Sequence, residues 1–275
     1  MKTEFDARAK LRPSFDGRWL AGATALIAMA FLMMLPPIRL DPAYHQFSDQ
    51  RALFKIPNFW NVASNLPFVA VGLWGLRVVF RNRVGRGFEF PFERWAYAVL
   101  FAAVAMIGVG SAYYHLRPNA RRLVWDRLPM SVGFMALFAA AIAEFVDPRL
   151  GFRLLVPLVA VGGGSVFLWH WTLMRGREDL RLYTGVQFLP LIEILFMLAL
   201  LPGRYTHQGY YLYAIALYGL AKVFEVFDRP IFAAGRIVSG HTLKHLAAAT
   251  GVAIIERMLM LRQPKSAPGG APAFP

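Results

Sequence analysis

Long apolar runs, nearly or wholly uncharged, alternate along this chain with short clusters of charge. The first run covers residues 19–35 and is closed by Pro36 and Pro37. Seven more follow, at about 59–76, 95–115, 128–145, 154–174, 182–201, 209–227 and 237–261. A helix needs about 20 apolar residues to cross a bilayer core, and the longer runs reach that length. Backbone groups in lipid must find partners within their own segment, which makes helices the natural choice. The alternating ten-residue strands of a membrane barrel are not seen. The pattern therefore predicts an all-α, polytopic transmembrane helix bundle of eight spans. The first run has the look of a signal peptide, but it is long and no small-residue cleavage site follows, so a retained helix is expected.

Composition sharpens this picture. Charged residues make up 17% of the chain, against about a quarter in a soluble domain. The net charge of +14 invites a nucleic-acid reading. However, the arginines sit at the ends of apolar runs, where snorkelling and the positive-inside bias put them, so no nucleic-acid partner is expected. The absence of cysteine removes disulfides, thiolate ligands and cysteine nucleophiles, leaving His, Asp and Glu as the only metal ligands. Four regions are expected: a basic cytoplasmic N-terminus over 1–18, an extra N-terminal transmembrane helix over 19–36, a membrane domain over 45–262, and a Pro- and Gly-rich disordered tail over 263–275. A cytoplasmic N-terminus places the end of the third run on the non-cytoplasmic face. Arg117, Arg121, Arg122 and Arg127 in the loop after it run against that orientation.

The candidate chemistry lies at the ends of runs. His241 and His245 are spaced i, i+4, which puts both imidazoles on one helix face and suits two ligands of one ion. Ser111 and His115 share that spacing at the end of the third run; Pro118 breaks it, and Asp126 opens the fourth. Under the proposed topology these five polar groups meet at one depth. Plainer readings stand beside this one. Histidines are ordinary at membrane interfaces, a membrane serine often bonds back to its own helix, and Asp126 can cap the fourth helix. Ionisable groups within spans are costly and usually functional.

Phe59-Trp60-Asn61-Val62-Ala63-Ser64-Asn65, Gly110-Ser111 through His115, Asp126, and Ser239 through His245 together resemble the alkaline ceramidase family. That family lies within a wider group of seven-helix membrane hydrolases. The resemblance covers roughly residues 45–260 and implies a seven-helix core, to which the first run adds one helix. It implies that His115, His241 and His245 bind Zn²⁺ and leave a fourth position for water. It further implies that Asp126 moves the proton, that Ser111 supports the oxyanion, and that the amide of a ceramide-like N-acyl membrane lipid is cleaved to a fatty acid and a sphingoid-type amine. The protein is then expected to be a multi-pass protein of a bacterial inner membrane. An esterase acting on phospholipids with the same metal site is the alternative. A receptor or transporter is the reading from another class, although no internal repeat of the transporter kind is present. The animal members carry an acidic, calcium-associated cluster before the first core helix. Here Phe47-Ser48-Asp49-Gln50-Arg51 and Asn58 stand there, and Arg51 with Lys55 argues against Ca²⁺.

Other polar residues receive plainer expectations. Lys222, Glu225 and Asp228 read as a structural ion network, with Glu193 near one network or the other. Asn61, Ser64 and Asn65 read as bonds between helices. Gly162, Gly163 and Gly164 read as a close helix approach, and His45, His170 and His207 receive no role.

Overall fold

The computed structural model describes residues 17–81 and 87–265, with side chains from 22 onward. Most of the expected basic N-terminus and residues 266–275 of the expected tail lie outside the described residues. Among them the regular structure is helical, and the only β pairing is two isolated bridges, Leu53 with Ile56 and Tyr205 with Pro264. The helices are α1 (Gly17–Met34), α2 (Phe59–Ala63), α3 (Leu66–Arg81), α4 (Arg94–Leu116), α5 (Ala120–Phe145), α6 (Pro148–Met174), α7 (Arg181–Leu200), α8 (Tyr210–Val226), α9 (Asp228–Gly235) and α10 (Gly240–Leu261).

Five spans are long and apolar enough to cross a membrane: Phe59–Arg81, Pro91–Leu116, Ala120–Phe145, Pro148–Met174 and Arg181–Leu200. A sixth is formed if α8 and α9 count together across their 70° bend. This is a multi-pass membrane protein. Helix α1 runs over 18 mostly apolar residues, Gly17–Met34, but its side chains are described only from Gly22, so its length does not decide the expected first span. Helix α10 has 22 residues, about 33 Å at 1.5 Å each, but it carries Lys244, Glu256 and Arg257 and turns His241 and His245 inward.

Helices α3, α4, α5 and α6 pack in succession. Helix α7 lies on α5 and α6, and α1 lies on the outer side of α7. Helix α10 rests on α3 and carries α8 on its other side, while α7 and α8 barely touch. The main core fills the space between α3, α4 and α5 with residues such as Phe68, Phe101, Val104 and Ala139. Of the three glycines 162–164, Gly162 makes the close approach, since a Cβ there would meet the Ser131 carbonyl oxygen at 2.8 Å; Gly164 faces open space.

Two further polar clusters fix helix ends. At one end, buried Arg262 pairs with buried Glu144, which also accepts from Tyr97, and Tyr97 meets Tyr211 at 2.7 Å. Beside it, residues 263–265 of the tail are held to the loop before α8: Thr206 N donates to the Gln263 carbonyl (2.9 Å) and Lys265 N to the Arg204 carbonyl (2.8 Å). Along α7, Glu193 accepts from Thr24 of α1 at 3.0 Å, so it joins neither predicted network. Arg181 donates to the Met33 and Leu35 carbonyls and is gripped by Asp179, whose pKa this hydrogen bonding lowers.

Candidate active site

Three helix ends meet at the opposite pole of the bundle. Helix α4 delivers Ser111 and His115 one turn apart on its buried face. Helix α5 begins earlier than predicted, at Ala120, because Asn119 caps it by accepting from Arg122 N at 3.0 Å. Asp126 therefore lies well inside the helix and is not its cap. Gly110 lets α4 and α5 come together at this level, since a Cβ would sit 2.0 Å from the Trp125 carbonyl oxygen. Ser111 and the Asp126 carboxyl are consequently brought together in one cavity wall.

Helix α10 starts at Gly240, with Ser239 as its cap through Thr242 N at 3.1 Å. Asp228 accepts from His241 N (2.8 Å) with one oxygen and from Ser48 N (3.1 Å) with the other. It therefore anchors the start of α10 and stands apart from the Lys222–Glu225 pair, contrary to the predicted three-residue network. Glu225 instead binds Lys244 as its second cation, at 2.8 Å. The carboxylate of Asp49 is held by Arg51 (2.7 Å), whose guanidinium also donates to the Arg236 and Ile237 carbonyls at 2.9 Å each.

His115, His241 and His245 converge, and all three are buried. One ligand atom from each falls within 4.8 Å of the others, so the group is able to hold a metal ion. Nε2 of His115 and Nε2 of His241 lie 3.3 Å apart. Two nitrogens bound to one tetrahedral ion at 2.0–2.1 Å stand about 3.3 Å apart, so the pair already has the required separation. Phe47 covers the two rings, with centroids at 4.6 and 4.5 Å.

The third ligand is oriented by a break in the first core span. Helix α2 ends at Ala63 and α3 begins at Leu66, leaving Ser64 and Asn65 between them. Ser64 Oγ lies 2.8 Å from Nδ1 of His245 and also contacts the Asn61 carbonyl at 3.3 Å. A carbonyl only accepts, so the serine proton points to Asn61 and Ser64 accepts from His245 Nδ1–H. That tautomer leaves Nε2 of His245 unprotonated and available as a ligand. Asn61, which accepts from Thr242 at 3.2 Å, and Ser64 thus make the expected bonds between helices, whereas Asn65 donates back to the Asn61 carbonyl at 2.7 Å; Ser64 has the further effect of orienting His245. A polar triplet inside an otherwise apolar run was the signal available in the sequence.

A cavity of about 270 Å³ adjoins the triad. Its polar end is lined by Ser111, Asp126, His245, Lys244, Glu225 and Arg127, and its deeper walls by Leu100, Val104, Leu137, Leu191, Ile215 and Val252. It lies between α7 and α8, where Gln187 Nε2 donates across the seam to Tyr218 Oη at 2.6 Å. Arg127, expected among the loop arginines, is buried. Nearby His45 shares a 2.9 Å hydrogen bond with Tyr114. Burial first, and the Arg127 charge second, lower the His45 pKa.

The family model for ceramidases matches residues 51–219. That stretch contains Ser111, His115 and Asp126 and stops before His241 and His245. No curated protein matches the chain.

Proposed function

Because this chain belongs to the ceramidase family, we propose that it is a zinc-dependent intramembrane hydrolase of ceramide-like N-acyl lipids. As a family member it is a hydrolase acting on the amide bond of ceramide. The zinc, the roles of individual residues and the range of lipids belong to this proposal. His115, His241 and His245 would hold the ion, and the 3.3 Å separation of two of their nitrogens is the observation that carries the reading. When bound, zinc polarises an amide carbonyl and makes a water acidic enough to ionise near neutral pH.

The chain's own groups supply the rest. Asp126, at the cavity wall, accepts the proton of the attacking water and returns it to the departing amine nitrogen. Ser111 donates its hydroxyl to the oxygen that gains charge as the carbonyl becomes tetrahedral. Phe47 shields the imidazoles from bulk water. The apolar inner walls suit an acyl chain, and the thin seam between α7 and α8 suits a substrate arriving from the bilayer.

Metal content and hydrolysis of N-acyl sphingoid and ester-linked lipids, measured on wild type and on the double variant His241→Ala, His245→Ala, test the reading. About one zinc per chain, amide cleavage, and loss of both in the double variant are expected. Full zinc occupancy in the double variant would end the proposal, and cleavage of esters alone would reassign the bond.

A further inference from the structure

Arg127 lies next to Asp126 in the chain and lines the same cavity, yet it is only 5% exposed. Among the described residues no carboxylate comes within ion-pair distance of its guanidinium. Its Nη1 has no hydrogen-bond partner. What surrounds it is aromatic: the rings of Trp169, Tyr183 and Tyr44 have centroids 4.4, 4.8 and 5.4 Å from Cζ. Ring faces attract a cation but offset only part of the cost of withdrawing it from water. Buried charges in proteins are otherwise paired, and here the described residues supply no paired anion.

The remaining charges around the cavity do not fill that role. Glu225 is engaged by both Lys222 and Lys244, and Asp126, whose charge acts on Arg127 through space, forms no ion pair with it. The lining thus carries three cationic side chains, Arg127, Lys222 and Lys244, against two carboxylates, Asp126 and Glu225, before the charge of any metal is added. Thr184 and Gln187 add neutral polar groups to the lining. The hydrophobic walls suited to an acyl chain leave this corner to the other half of the substrate.

We propose that Arg127 is the binding site for an anionic headgroup, and that the lipid cleaved here carries a carboxylate, phosphate or sulfonate on the amine side of its amide. This rests on the reading of the site as an amidase. A planar guanidinium pairs with such oxyanions through two parallel hydrogen bonds, and Nη1 is the donor left without a protein acceptor. Trp169, Tyr183 and Tyr44 act as a cage that holds the guanidinium beside the cavity.

The test compares N-palmitoylglycine with its uncharged amide, N-palmitoylglycinamide, and with palmitate, using the full chain purified in detergent. Binding is followed by tryptophan fluorescence, since Trp169 stacks on Arg127, and hydrolysis is followed in parallel. Wild type is expected to bind the acid at least about tenfold more tightly than the amide. Arg127→Gln is expected to bring that ratio close to one, and Arg127→Lys, which keeps the charge, to retain part of it. Equal affinities in wild type, or an undiminished ratio in Arg127→Gln, would overturn the assignment. If palmitate loses as much affinity as N-palmitoylglycine in Arg127→Gln, the anion is the fatty-acid product and the headgroup assignment fails. If Arg127→Gln does not fold, the wild-type ratio and Arg127→Lys still decide. Discrimination without cleavage of either amide would leave the anion site standing and count against the amidase reading.

Discussion

Replacing Ser64 by alanine removes one oxygen that touches no substrate, yet it should weaken the metal site. In wild type His245 Nδ1–H donates to Ser64 Oγ over 2.8 Å, with both residues buried. The variant leaves that N–H in an apolar setting without an acceptor, at a cost of about 1–3 kcal/mol. It also frees the imidazole to rotate or to move its proton to Nε2, where the metal must bind. Loss of such a supporting hydrogen bond typically costs about 10- to 100-fold in metal affinity, which corresponds to about 1.4–2.7 kcal/mol. The two estimates agree, so a drop of 10- to 100-fold is expected for Ser64→Ala. Ser64→Thr keeps the hydroxyl and should recover most of it. Competitive chelator titration of the purified proteins measures the affinity, and thermal melts with and without metal measure the coupling. An affinity within about twofold of wild type in Ser64→Ala would refute the argument, even if the variant were less stable without metal.

Asp126→Asn and Ser111→Ala should each retain metal while losing turnover on the order of 100-fold; an emptied site in Asp126→Asn would make that residue a ligand. Gly110→Val should lower the melting temperature in detergent, because its Cβ meets the Trp125 backbone at 2.0 Å and overpacking costs about 1–3 kcal/mol or more. A wild-type melt would show that α4 and α5 are free to separate there. Asp179→Asn should cost stability in a pH-dependent way. Hydrogen bonding from Arg181 lowers the Asp179 pKa, so its contribution is present above the unfolded value of about 3.9 and disappears as pH falls through the lower folded value. Both side chains are partly exposed, at 21% and 17%, so the gap at neutral pH should be no more than about 1 kcal/mol. Melts of the two proteins that stay equally far apart at every pH would contradict this origin.

The helices were legible in the sequence because lipid permits few alternatives to them, and the apolar runs marked their approximate positions. Their ends were less so. The start of α5 moved to Ala120 because Arg121, Arg122 and Arg127 read as loop charges, whereas a helix end tolerates arginines whose stems lie along apolar neighbours. The break at Ser64 and the bend after Val226 each precede a proline, Pro67 and Pro230, in the first turn of the next helix, a local stop-and-start signal that the apolar runs override. The histidine triad was visible through its i, i+4 spacing. What orients it, Ser64 on His245 and Asp228 on His241 N, depends on helices distant in sequence. Arg127 shows the same limit: nothing in its neighbours along the chain separates a buried arginine from one at the surface.

The uneven packing of α8 has a mechanical consequence. This helix hangs on α10 as a door hangs on its post, and its other edge meets α7 with Gln187 and Tyr218 as the latch. The post is also the helix that carries two of the three imidazoles, and α8 is fastened to it nearest the metal end, where Gly240 abuts the Phe224 carbonyl. Tyr211 ties the start of α8 to Tyr97 of α4 at 2.7 Å, so an outward swing of the free edge near Tyr218 would break the latch and the Phe134–Tyr218 ring contact but none of the contacts among His115, His241, His245 and Ser64. A lipid tail passing there would not require the triad to be rebuilt at each turnover. Widening the doorway and tuning the metal are thus separable tasks for the residues of this chain.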